Sequence, residues 1–323
     1  MIKQMNRPSI YKLKLLLATT FILACQSEEN QDSNVQDQID AFPCTALMTT
    51  RIHSFEALKQ MVDIAYYSKD KAEVRITHSA GDMIVESVLT EGLNQDDYIK
   101  AKMGSSWDKF KLGLKSSYGI ANREDLLKAY MLARRKYEVY GEGDVALFDL
   151  SVQMVRNISP VDRKQSSVRD LGEKGYLNTF NHFIAQSVYT SIFSEEMADF
   201  IADNHERSHL PALITGQFTE AQELDIDEGA VDNYVDIINN EWGQEYGKLL
   251  KIKYDISTST QWTPTLLADY LNDIQDYFSV AFEIAFSPFR ASDDVIIRFV
   301  DRTNLIMDDA SLFLEDIWFL RRP

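Results

Sequence analysis

The chain has 323 residues, a formal net charge of -17 at neutral pH, 45% apolar residues and two cysteines. So acidic a protein is repelled by nucleic acid and by anionic membrane surfaces, which excludes DNA or RNA as the expected partner. Two cysteines give no disulfide framework, so the fold must be held by a core built from the plentiful Phe and Tyr side chains.

At the amino terminus Lys3, Arg7, Lys12 and Lys14 form a positive front, followed by the apolar run Leu15 to Ala24. Ten helical residues rise only about 15 Å, half of a hydrocarbon core of roughly 30 Å, so the run reads as a secretory signal and not as a membrane span. Ile22-Leu23-Ala24-Cys25 resembles the lipobox of bacterial lipoproteins. That resemblance implies cleavage after residue 24, acylation of Cys25, and a lipid-anchored protein of the outer membrane. Several acyl chains together anchor stably where one does not. The acidic pair Glu28-Glu29 close behind Cys25 is similar to the surface-export tether of Bacteroidetes lipoproteins. It points to the cell surface, with the periplasmic face as the alternative. Residues 25–41 are polar and acidic and are expected to be a disordered tether. Loss of the four basic leader residues takes the charge from -17 to -21.

Roughly 280 residues then remain, enough for one large or two small domains. Glycine and proline are sparse, and the apolar spacing is mostly helical. Ser54 caps an expected helix over 55–67, and the Asp82–Thr90 and Gln95–Met103 stretches read as short helices. Only Ala72–Thr77 suggests a strand. Asn122, with Glu124 and Asp125 behind it, starts a helix that Gly141 stops. Further helices are expected over 144–157, 177–193, 194–209, 230–254, 263–285 and 293–319, with Pro264 at the first position of its helix. The expected fold is all-α, with an N-terminal helical region at 42–160 and a C-terminal helical domain at 170–323.

The polar residues of interest lie on three successive helices. Asn178, His182 and Gln186 share a face of the first, and Asp203, His205 and Glu206 lie on the second. Asp236, Asn239 and Asn240 lie on the third, where Gly243 and Gly247 permit close helix contact. Three segments, Asn178-x-x-x-His182, Ala202-Asp203-x-His205-Glu206 and Asp236-x-x-Asn239-Asn240-x-x-Gly243, resemble the signatures of an uncharacterised helical domain of secreted and toxin-like bacterial proteins. The resemblance covers residues 178–243, and departs from the pattern at Phe183-Ile184-Ala185-Gln186. It implies a fold and a site, with His182, His205, Glu206, Asp236, Asn239 and Asn240 as catalytic candidates, and no particular reaction.

Imidazoles, carboxylates and amides converging from three helices suit a divalent metal such as zinc, or general acid/base chemistry. They equally suit a buried polar network that fixes helix register in a binding or interaction module with a protein or small-molecule partner. His205-Glu206-Arg207-Ser208-His209 also resembles the His-Glu-x-x-His signature of zinc metallopeptidases, with His205 and His209 as metal ligands and Glu206 as base. Against it stand the charged Arg207 and the helix stop at Leu210-Pro211. His53 and His78 read as surface or capping residues.

Overall fold

The computed structural model describes residues 34–67, 73–90, 105 and 116–308. The leader, Cys25 and the expected helix at Gln95–Met103 therefore lie outside the described residues. The chain divides into two compact units, residues 1–42 and 43–323. In the first, residues 34–40 are helical, and Gln36 Nε2 donates to Asp40 Oδ1 across one turn at 2.8 Å. The disordered-tether expectation therefore fails over its last residues, because Val35 and Ile39 give this short stretch an apolar face that the overall polarity of the segment hides. The expected region at 42–160, apart from Phe42, and the domain at 170–323 both fall within the second unit.

That unit is mostly helical and carries one small sheet, which corrects the all-α expectation and the helical reading of 42–160. The helix capped by Ser54 lasts a single turn, Phe55–Leu58. Three antiparallel strands follow, β1 (Asp63–Tyr66), β2 (Glu73–Ala80) and β3 (Met83–Thr90), in the order β1-β2-β3. Strand β3 occupies the stretch expected to be helical. Ala80 pairs with Met83 across the two-residue turn Gly81-Asp82, and Gly81 has φ 59°, a value hairpin turns require at their first central position. Val74, Ile76 and His78 of β2 and Val85, Ser87 and Leu89 of β3 face inward, and this alternation is the strand signal.

Among the described residues seven longer helices follow, with short helical turns between them: α1 (Arg123–Ala133), α2 (Leu147–Asn157), α3 (Tyr176–Ile192), α4 (Glu195–His209), α5 (Ala230–Lys253), α6 (Pro264–Phe282) and α7 (Asp294–Asp308). Their ends follow local chemistry. Ser194 and Thr263 accept backbone hydrogen bonds as caps of α4 and α6, and Pro264 sits in the first turn of α6. Arg302 of α7 is buried against Asp144, with Nε–Oδ1 3.3 Å, and donates to the carbonyls of Met131 and Arg134 at 2.5 and 2.7 Å, which ties α7 to α1.

Helices α3 and α5 form the centre, and α5 is buried almost all round, as befits a helix with apolar and polar faces both covered. The two run parallel. Hydrogen bonds join 174 to 232, 178 to 236, 182 to 240 and 186 to 244, always 58 positions apart. Gly243 and Gly247 permit this approach, since a Cβ at either would meet the Phe183 or Ser187 carbonyl oxygen at 2.7 or 2.6 Å. Ser187 and Ser191 donate to the Gly243 and Gly247 carbonyls at 2.8 and 2.9 Å. Phe180 and Phe183 of α3 stack into the aromatic core with Phe278 and Tyr277 of α6, with ring centroids 4.5 and 4.6 Å apart.

Candidate metal centre

The register of α3 on α5 sets His182 beside Asp236 and Asn240, and α4, running back between them in sequence, brings in Glu206. One ligand atom each of His182, Glu206 and Asp236 falls within 4.8 Å of the others, the only such set of three His, Cys or acidic residues among the described residues. His182 Nε2 lies 3.3 Å from Asp236 Oδ2, and His182 Nδ1 lies 3.0 Å from Asn240 Oδ1. An amide oxygen only accepts, so Nδ1 carries a proton, and Nε2 is the atom turned to the carboxylates. Asn178 Nδ2 donates to the other Asp236 oxygen at 2.6 Å. Each of these two ligands is thus held by an amide of the opposite helix, His182 by Asn240 of α5 and Asp236 by Asn178 of α3.

Glu206 is the exception. It is 2% exposed, and its Oε1 has no hydrogen-bond partner. A buried carboxyl oxygen without a partner is costly. Burial, and then the Asp236 carboxylate, push the Glu206 pKa well above its usual range. Burial alone would lower the His182 pKa, but the Asp236 carboxylate bonded to it more than offsets this, and the ring is carried up to about 10. Asp232, one turn before Asp236, is raised to about 6 by burial and by Asp236, with Lys174 and Thr49 acting against the shift. Lys174 Nζ lies 2.9 Å from Asp232 Oδ2 and Thr49 Oγ1 donates to Oδ1 at 3.1 Å.

The cluster opens on a cavity of about 520 Å³ lined by all three residues together with Lys174, Asn178, Asp232, His205 and His209. His205 and His209 are exposed on its wall, with ring centroids 4.5 Å apart. Of the residues singled out from sequence, the fold therefore gathers His182, Glu206 and Asp236, with Asn178 and Asn240 holding them. It sets His205 and His209 at the rim.

It places Asn239 and Asp203 elsewhere. Asn239 accepts from the Leu47 backbone N–H at 2.8 Å and donates to its carbonyl at 2.9 Å, clamping the segment that leads to Thr49. Asp203 accepts from Ser87 of β3 at 3.4 Å, beside Asp199 and Glu241. His78 is corrected from surface to core: it is 7% exposed, and its Nδ1 accepts from the Trp242 indole N–H at 3.0 Å. Lys174 and Thr49 carried no sequence signal as site residues, since neither belongs to a spaced motif. No known protein family, curated protein or solved structure matches the chain.

Proposed function

We propose that this chain is a lipid-anchored outer-membrane lipoprotein whose cavity is a divalent-metal centre for hydrolysis, with His182, Glu206 and Asp236 as the ligands. The observation that carries the reading is the buried Glu206 oxygen without a partner, set beside an imidazole and a second carboxylate at ligand spacing. A cation supplies what that oxygen lacks. Three protein ligands facing a cavity are the pattern of catalytic sites, which keep a position open for water or substrate. Asn240 and Asn178 fix the ring and the carboxylate from behind, as outer-shell partners of metal ligands do. A metal held there would activate a bound water and polarise a substrate oxygen. The lipobox at Cys25 supports the address, and no described helix is long and apolar enough to cross a membrane.

The binding-module reading draws on a different fact: His182 and Asp236 already satisfy each other. Calorimetric titration of the metal-depleted full chain with Zn²⁺ and Mn²⁺, repeated with His182→Ala and Asp236→Asn, separates the two. Micromolar or tighter binding lost in both variants is the expected result. No binding by the parent chain, with only a lowered melting temperature in the variants, leaves the cluster as a register-fixing network. The His-Glu-x-x-His peptidase reading has less support, because no third ligand gathers with His205 and His209 at metal spacing among the described residues.

A further inference from the structure

His205 and His209 are left over by this reading, and their placement gives them a use. They stand in the last two turns of α4, one turn apart, rings 4.5 Å apart and both open to the cavity. Two imidazoles so spaced on a helix can both turn a nitrogen to one ion. The cavity itself calls for more cation than one ion provides. Its walls carry the carboxylates of Glu173, Glu206, Glu228, Asp232 and Asp236 against a single lysine, Lys174, which is already paired with Asp232. One divalent ion at the buried triad leaves the walls net negative.

We infer that the cavity takes two divalent cations, the second chelated at the rim by the His205 and His209 imidazoles, with its remaining positions open to water or substrate. The nitrogen donors select a borderline transition metal of the Zn²⁺ class over Mg²⁺ or Ca²⁺. The inference rests on the proposed centre at His182, Glu206 and Asp236 and adds to it a second, more open site.

The test is the Zn²⁺ stoichiometry of the metal-depleted full chain, by calorimetry and by elemental analysis after desalting, for three proteins: the parent, His205→Ala/His209→Ala, and His182→Ala. Both rim side chains are exposed, so the double variant keeps the fold; circular dichroism and an unchanged melting temperature check this. The expected result is two equivalents for the parent and one for the double variant, with the weaker step missing. Cu²⁺ bound to the parent should also show imidazole nitrogen hyperfine splitting that the double variant loses. Two equivalents persisting in the double variant overturn the rim site. One equivalent in the parent, lost only in His182→Ala, overturns the rim site and leaves the buried centre standing. One equivalent lost only in the double variant overturns the buried centre, and with it the two-ion cavity.

Discussion

At the scale of single residues, Asn240 and Glu206 make opposite predictions. Asn240 touches no cavity space, but its carbonyl fixes the His182 ring through Nδ1. Removing an outer-shell partner of a metal ligand costs about 10–100-fold in affinity. Asn240→Ala should therefore weaken Zn²⁺ binding by about that factor in a calorimetric titration while leaving the stoichiometry of the buried centre unchanged. Glu206→Gln should abolish binding there and yet stabilise the metal-free protein, because it removes an acid whose charge is penalised first by burial and then by the Asp236 carboxylate. A site kept for function at a cost in stability behaves this way. Thermal melts in the presence of a chelator read the sign, and a lower melting temperature for Glu206→Gln would mean the carboxyl is there to hold the fold.

At the scale of elements, the parallel register of α3 on α5 is what assembles the site. A methyl group at Gly247 would meet the Ser187 carbonyl oxygen at 2.6 Å. Gly247→Ala should cost about 1–3 kcal/mol, as overpacking does, seen as a lower midpoint in denaturant unfolding and, through the shifted register, as weaker metal binding. A second element-scale effect is set by pH. Asp203 of α4 is raised to about 8 by burial and by Asp199, and the Glu241 carboxyl of α5 beside it is raised as well. An acid whose folded pKa is raised stabilises fully below its unfolded value, near 3.9, and that contribution is lost as pH climbs toward the folded value. Asp203→Asn should thus melt several degrees above the parent at pH 8, with the gap closing near pH 4. An equal gap at both pH values would rule out the carboxyl as its cause. Much of this layer could be read in the sequence. The caps at Ser194 and Thr263 and the close-contact glycines gave the helices and their contact, because each is a local rule. The strand expected at Ala72–Thr77 overlaps β2, but β3 reads as helix because Val85, Ser87 and Leu89 alternate at period two over only a few residues, and a polar Ser blurs the apolar pattern. Helical spacing likewise brought His182, Asp236 and Asn240 to notice. It could not say that Glu206, and not its neighbour His205, turns inward, nor that Asn239 serves the backbone at Leu47, since both depend on how helices from distant parts of the chain are rotated.

At the scale of the whole molecule, address and chemistry are linked by charge. A chain at -17, or near -21 under the proposed cleavage before Cys25, gains nothing from an anionic bilayer surface, which repels it. No described helix is long and apolar enough to span the hydrocarbon, and the proposed membrane address is by lipid at Cys25, where several acyl chains are needed for it to last. An acidic cavity also gathers divalent ions from its surroundings, since the same negative field that opposes anionic surfaces raises local cation concentration. The two properties can be separated by one substitution. Cys25→Ser should move the protein from the detergent-extracted membrane fraction to the aqueous fraction and remove the acyl mass from the intact protein. Zn²⁺ binding by the released form should stay within about twofold of the parent, because the proposed ligands His182, Glu206 and Asp236 gather within one helical unit, residues 43–323, that does not include Cys25. If Cys25→Ser stays with the membrane and its intact mass differs from the parent only by the single-atom exchange, the chain is held by some contact other than lipid, and the acidic cavity becomes the first place to look for its partner.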